Sequence, residues 1–317
     1  MPMEADEPRT YSYLGPAGTF TEAALAQVQE AQGQRWNPVA NVGAALADVA
    51  SGRAHGAMIA IENTVEGGVS SAQDALANTP GLRIIGEYLV PVSFVLVAPR
   101  GTRIEDVSQI AAHPVAYAQC LEWLGRHVPQ HEPVVAASNV ASAIGVLDGS
   151  LPAQAAIAAP GVVDHYDVDV LAEGIGDNPD AVTRFVLVTR TVVPPARTGA
   201  DKTSLIAELP KEVPGALLEM LEQFATRGIN LSLIQSRPVG DRLGRYRFVI
   251  DADGHIEDER VADALMGLKR FSPNVIFLGS YPRADRVTVP CSPRYSDESF
   301  ADARDWVRGL LTGVDDG

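Results

Sequence analysis

The sequence predicts an α/β protein followed by a smaller α+β module, and three observations carry that expectation. Short apolar runs alternate with helical patterns from Tyr11 to Arg190. A stretch bearing prolines and a glycine, Thr191 to Asp201, then interrupts the pattern. Beyond it the sequence reads as a single βαββαβ unit, the ferredoxin-like split arrangement. A length of 317 residues suits about two such domains, and a chain this long buries enough surface to need no metal or disulfide staple.

In the first part, residues 9–190, strands are predicted at Tyr11–Leu14, Gly56–Ile61, Leu82–Tyr88, Val92–Ala98, Val134–Ala137, Ala155–Ala158 and Arg184–Val188. Amphipathic helices are predicted at Thr21–Gln29, Val42–Ala50, Ser70–Ala77, Val115–His127 and Asn139–Leu147. Such alternation implies a largely parallel sheet. Residues 191–202 read as a linker. The module at 203–282 opens with a strand, Thr203–Leu209, and a helix starting at Pro214. Leu217, Leu218, Leu221 and Phe224 would share that helix's apolar face, and Gly228 suits the left-handed position after its end. Strands Leu231–Val239 and Arg245–Ile250, joined by a turn at Gly240-Asp241, precede a helix at Glu259–Phe271 carrying Val261, Leu265 and Leu268. Asn274–Leu278 closes the module, and 283–317 is a polar tail with one helical pattern at Phe300–Leu311.

Composition narrows the function. Lys plus Arg is 25 against 40 Asp plus Glu, a net charge of −15, which excludes a nucleic-acid footprint. The same charge obliges any anionic substrate to find a local cationic pocket. Cys120 and Cys291 lie in no CxxC or Cys/His cluster, so buried, reduced thiols and a cytoplasmic location are expected. The acidic N-terminus has no hydrophobic leader pattern, and the most apolar stretch, Tyr88–Ala98, is interrupted by Pro91 and too short to span a bilayer. No membrane partner is expected.

Four segments carry possible chemistry. Leu14-Gly-Pro-Ala-Gly-Thr-Phe-Thr-Glu22 follows a strand and opens a helix, with Thr19 and Glu22 at capping-box spacing and Gly18 ahead of them. Such a turn offers backbone N–H groups to an anion, yet taken alone it reads as a capped strand–helix junction. Ile59-Ala-Ile-Glu-Asn-Thr-Val-Glu-Gly-Gly-Val69 places Glu62, Asn63 and Thr64 at the carboxyl end of a strand, where open α/β sheets bind ligands. Glu62 is there either a proton donor or a loop carboxylate capping nearby N–H groups. Ala112-His-Pro-Val-Ala-Tyr-Ala-Gln-Cys120 holds His113, which has no second ligand at metal-binding spacing, so no metal is expected. Val182-Thr-Arg-Phe-Val-Leu-Val188 puts Thr183, Phe185 and Leu187 on one strand face and Arg184 on the other, a pattern that also fits an interior strand with one salt-bridged arginine.

Taken together, in order and spacing, these segments resemble the prephenate dehydratase family, and the resemblance runs from about Tyr11 to Arg283. Residues 203–282 are similar to the ACT regulatory domain of that family, with its effector motifs at Gly215-Ala216-Leu217-Leu218 and Gln235-Ser236-Arg237-Pro238. Two departures stand out. Gln235 replaces the usual glutamate, and Ile157-Ala-Ala-Pro160 lacks the usual Ser-Glu, which would remove a hydroxyl beside the cleft.

The resemblance implies a bilobal catalytic domain like a type II periplasmic binding protein, followed by the ACT domain. It implies conversion of prephenate to phenylpyruvate with loss of water and carbon dioxide, and inhibition by L-phenylalanine. Aromatisation drives that reaction, so no cofactor is expected. Thr183 would donate to the leaving hydroxyl, with Glu62 or a water behind it in a relay. Arg184 would fork onto a substrate carboxylate, and the helix starts after Gly18-Thr19 and after Gly67-Gly68 would take a second anion. Phe185, Asn63, Thr64 and His113 would complete the substrate site. ACT pairing implies a homodimer or homotetramer. The alternatives are arogenate dehydratase and a non-catalytic amino-acid-sensing bilobal protein.

Overall fold

The structure, a computed structural model, describes residues 8–65, 67–191, 193–210, 213–239, 245–288 and 290–313. It divides into two compact units, residues 1–75 with 88–188 and residues 76–87 with 189–317.

The chain begins with β1 (Thr10–Leu14), α1 (Phe20–Leu25), β2 (Arg35–Val39), α2 (Val42–Ala50), β3 (Gly56–Asn63), β4 (Gly67–Gly68), α3 (Ser70–Asn78) and β5 (Arg83–Pro91). A second lobe follows, with β6 (Val95–Ala98), β7 (Gln109–Ala112), α4 (Pro114–Ala118), α5 (Leu121–His127), β8 (Glu132–Val135), α6 (Asn139–Leu147), β9 (Ala155–Ala158) and β10 (Asp169–Glu173). The chain then returns to the first sheet through β11 (Val182–Thr189). That sheet runs β2-β1-β3-β11-β5 with β4 on β3, and the second runs β10-β6-β9-β7-β8.

β1 pairs parallel with β2 and β3, as β7 does with β8 and β9, whereas β6 pairs antiparallel with β9 and β10. The second sheet is therefore mixed rather than largely parallel, because β6 runs against the shared direction of β7, β8, β9 and β10. Its central strands are buried on both faces. Leu96 and Ile157 point into one core with Ile110 and Leu124, and Val97 and Ala156 point into the other with Val140. This two-sided burial explains why β6 and β9 read as unbroken apolar runs.

The helix expected over Val115–His127 is two helices. Asp177 accepts from the backbone N–H groups of Glu122 and Trp123, at 3.0 Å each, and so starts α5 afresh after Cys120. That carboxylate satisfies the open donors of a helix N-terminus, and the tertiary contact overrides the continuous pattern. The first predicted helix likewise ends early, at Leu25, with a 3-10 turn at Gln29–Ala31. Cys120 is buried, and burial pushes its thiol up to about 12, while Cys291 is exposed, contrary to the expectation of two buried thiols.

The second unit contains β12 (Asp201–Glu208), α7 (Ala216–Ala225), β13 (Leu231–Pro238), β14 (Tyr246–Asp253), α8 (Glu259–Phe271), β15 (Val275–Pro282) and α9 (Asp297–Thr312). The order β13-β14-β12-β15 is the expected βαββαβ sheet. Helices α7 and α8 cover one face, burying Met220, Phe224, Val261, Ala264 and Leu268 against Leu205, Ala207 and Ile250. The buried row of α7 is Ala216, Met220 and Phe224, spaced one turn apart. Leu217 and Leu218 are 39% and 60% exposed, so the apolar face differs from the one expected. The turn expected at Gly240-Asp241 lies outside the described residues.

Residues 76–87 join this unit through a buried ion pair, Lys202 Nζ to Glu87 Oε2 at 2.9 Å. At Gly279 (φ +153°) a Cβ would fall 2.2 Å from the Ile84 carbonyl oxygen, so only glycine permits that approach. The stretch expected as a linker is held down. Thr198 and Gly199 donate their N–H groups to Asp201 at 2.8 Å, and Arg197 pairs with Asp258 and Asp297.

Candidate active site

Two adjoining cavities, of about 330 and 190 Å³, are lined by residues of both lobes of the first unit. They share Phe20, His113, Asn139 and Thr183. The larger also meets Thr19, Thr21, Ser138, Ala159 and Phe185; the smaller also meets Asn63, Thr64, Phe94 and Gln119. Phe20 and Phe94 meet edge to face at 5.8 Å, an apolar contact from one lobe to the other.

Strand periodicity decides what β11 presents. Thr183 and Phe185, two apart, face the larger cavity, while Arg184 points the other way. Its Nε lies 3.1 Å from Glu62 Oε2, with the two side chains 7% and 34% exposed. Neither Arg184 nor Glu62 lines either cavity. The arrangement is that of an interior strand with a salt-bridged arginine, and it differs from the expected carboxylate fork and carboxylic proton donor. Thr64 fastens the start of the same strand: its N–H donates to the Val182 carbonyl, and its Oγ1 accepts from the Val182 N–H, both at 3.0 Å. Asn63 Oδ1 accepts from the Val65 N–H at 2.9 Å.

The turn after β1 forms the expected helix start. Thr19 caps α1, its Oγ1 accepting from the Glu22 N–H and donating to the Leu14 carbonyl. Glu22 closes back onto the Gly18 N–H, one residue before the cap. That N–H is thus engaged within the protein, and Gly18 is absent from the cavity walls. Gly67-Gly68 pairs antiparallel with Glu62-Asn63 as a hairpin, just ahead of the expected helix start at Ser70, and lines neither cavity.

His113 is the N-cap of α4, its Nδ1 accepting from the Val115 N–H at 3.4 Å, with Pro114 at the first helical position. That bond leaves Nε2 as the protonated nitrogen of the neutral ring. Ser138 caps α6 by accepting from the Ala141 N–H at 3.0 Å. Asn139 follows it, and its Oδ1 is buried with no hydrogen-bond partner among the described residues. The sequence pattern predicts a helix from Asn139 and carries no signal that its start reaches the cleft. Among the described residues no acidic, lysine or arginine side chain lines either cavity.

In the second unit, Gly215 (φ +88°) caps α7 in the left-handed region, ahead of buried Ala216 and exposed Leu217 and Leu218. Both β12 and β13 run antiparallel to β14, hence parallel to each other. Gln235, Ser236, Arg237 and Pro238, at the end of β13, therefore lie at the end of the sheet where α7 starts. Among the described residues no group of three or more His, Cys, Asp or Glu could hold a metal ion. No helix there is long and apolar enough to cross a membrane.

A bilobal α/β unit with an interlobe cleft, carrying an appended βαββαβ unit, defines a periplasmic-binding-protein-like enzyme with a regulatory domain. Residues 11–192 match the profile of prephenate dehydratase, and residues 203–270 match that of the ACT domain. The prephenate dehydratase of Mycolicibacterium vanbaalenii is 42% identical over 315 residues, spanning 95% of this chain and 98% of that protein. A crystal structure of prephenate dehydratase in complex with L-Phe from Arthrobacter aurescens superposes with a TM-score of 0.92 at 53% identity, covering 96% of this chain and 99% of that one. GqqA, described as a novel type of quorum quenching acylase, superposes with a TM-score of 0.77 at 28% identity, covering 87% and 98%. The chain belongs to the prephenate dehydratase family. It is a lyase, and its reaction is the decarboxylating dehydration of prephenate to phenylpyruvate.

Proposed function

We propose that prephenate binds in the interlobe cavities and that Thr183 donates to its departing hydroxyl. The observation that supports this is the position of Thr183 where the two cavities meet, beside Phe20, His113 and Asn139. In the elimination, the electron pair of the bond to the ring carboxylate moves into the ring as carbon dioxide leaves. The ring double bond shifts, the opposite C–O bond breaks, and one proton completes a water molecule. The threonine hydroxyl hydrogen-bonds the oxygen as charge builds on it, and it needs a proton source behind it. His113 is the titratable side chain among the described residues that reaches both cavities; its neutral ring can hydrogen-bond the relay, and the proton itself comes from water. Glu62, paired with Arg184, supports β11 in this scheme.

The substrate's carboxylates meet neutral donors. Ser138, Asn139 and Val140 bring the N-terminus of the nine-residue helix α6 to the larger cavity, an end that favours negative charge. The buried Asn139 carboxamide orients a substrate oxygen. A cation against the ring carboxylate would stabilise the state that must lose it, so neutral anchoring favours the transition state. The same lining opposes arogenate, whose ammonium would find no carboxylate there. Thr183→Ala should lower kcat by about a hundredfold with KM within about threefold. A well-folded variant with near-parental kcat refutes the role.

L-phenylalanine is the proposed effector of the second unit, taken up by Gly215–Leu218 and Gln235–Pro238 from neighbouring subunits. The L-Phe held by the Arthrobacter relative and the ACT match support that reading. It carries with it a homodimer or homotetramer acting in the cytoplasm.

A further inference from the structure

We infer that Glu22 and His165 form a strap that holds the two lobes closed over the cavities and opens when substrate enters or product leaves. The observations lie on either side of the larger cavity. On the first lobe, the turn from Gly15 to Thr19 contributes Gly15 and Thr19 to the wall. On the second, Ala159 lines the wall and leads directly into the 3-10 turn Pro160–Asp164, which His165 terminates.

Glu22 sits between these two segments. Its Oε2 accepts from the Gly18 N–H and lies 2.9 Å from His165 Nε2, and its Oε1 accepts from the Tyr13 hydroxyl at 3.2 Å. The carboxylate thus ties β1, the turn and α1 of one lobe to a side chain of the other. The titratable groups facing it are Tyr13, His165 and Tyr166, whose ring lies edge-on to His165 at 6.4 Å.

The backbones are built for this approach. At Gly18 (φ +88°) a Cβ would come within 3.0 Å of Val162 Cα and 3.2 Å of the Gly161 carbonyl oxygen. At Gly161 a Cβ would stand 3.4 Å from the Gly18 carbonyl oxygen. Glycine on both sides lets the two segments touch main chain to main chain. None of Gly18, Glu22, Gly161 and His165 lines a cavity, so the strap acts by position and not by touching the substrate. With His165 37% exposed at the rim, the contact is accessible enough to break and re-form.

The strap rests on these cavities being the prephenate site, and the test separates the two. In His165→Ala, KM for prephenate should rise about fivefold, close to 1 kcal/mol, with a smaller fall in kcat. In His165→Gln, an amide N–H can donate to the same oxygen, and KM should return to within about twofold of the parent. Hydrogen exchange needs no substrate. It should accelerate at 15–19 and 160–166 in the Ala variant and return toward parental rates in the Gln variant. Parental exchange in the Ala variant, or a Gln variant indistinguishable from Ala, overturns the strap. Strap-like exchange with an unchanged KM separates it from substrate entry and overturns the gating role.

Discussion

The pair between Arg184 and Glu62 separates a substrate-binding arginine from a structural one, and its energetics follow from its burial. Arg184 is nearly buried, and its Nε lies 3.1 Å from a Glu62 carboxylate that is one-third exposed. Breaking a fully buried pair by deleting one partner costs about 3–5 kcal/mol, because the other charge is stranded. In Arg184→Met the stranded group is Glu62, which water can reach, so the expected loss is about 2 kcal/mol. Glu62→Gln instead strands the better-buried guanidinium and should cost more, about 3 kcal/mol. The double variant should recover part of the sum, since residues in contact are not additive.

For a unit of this size each kcal/mol corresponds to about 2–4 °C, so Arg184→Met should melt about 4–8 °C lower. Trp36 and Trp123 report on this unit, and replacing Trp306 with phenylalanine removes the fluorescence of the other. Because neither side chain lines a cavity, KM for prephenate should stay within about twofold. A tenfold rise in KM with an unchanged melt would put Arg184 on a substrate carboxylate and refute the structural role.

Three further outcomes are expected. A chain ending at Gly199 should turn over prephenate without L-phenylalanine inhibition, measured by steady-state kinetics, yet melt lower than a free-standing domain would, because residues 76–87 lose Lys202 and the Gly279 backbone. Gln235→Glu should tighten L-phenylalanine binding by less than about tenfold in calorimetric titration, since a partly exposed charge contact is worth up to about 1 kcal/mol; weaker binding would contradict it. The Asp285 carboxyl is held near 2, from an ordinary 3.8, chiefly by its hydrogen bonds to the Arg283 guanidinium. A depressed pKa contributes stability that is complete above the unfolded value and is lost as pH falls through the folded one. The second unit should therefore lose stability between about pH 4 and 2, and Asp285→Asn should flatten that slope in acid titrations of its melting.

Where local pattern and tertiary environment agree, the sequence was legible. Helices α2, α6 and α8 begin and end where their periodicity places them. The strand face of Thr183 and Phe185 follows from alternation alone. Strands β2, β7 and β10 were not legible, because Arg-Trp-Asn-Pro-Val, Gln-Ile-Ala-Ala and Asp-Val-Leu-Ala-Glu carry too little alternation and pair through partners distant in sequence. The break between α4 and α5 depends on Asp177, more than fifty residues on from Glu122. The partner of Arg184 was equally hidden, since pattern places a guanidinium on a face but does not say whether a carboxylate of the protein or of the substrate awaits it.

That last point resolves the charge problem of an acidic chain acting on a dianion. A surplus of carboxylates seemed to demand a cationic pocket. A buried cation in the cleft would have to be desolvated, and it would then hold most firmly the carboxylate that the reaction expels. Pairing Arg184 with Glu62 behind the strand avoids both costs. Hydroxyls, amides, the His113 ring and a helix N-terminus remain as the cleft's polar surface. Such dipoles stay fixed while charge moves from the leaving carboxylate toward the leaving oxygen, so they stabilise the later distribution without reorganising. Closing the lobes strengthens the effect, because excluding water lowers the local dielectric around those dipoles. Lobe closure and neutral anchoring are then parts of one arrangement. A cleft that relied on a cation could work open to solvent, and one that relies on dipoles gains from being shut.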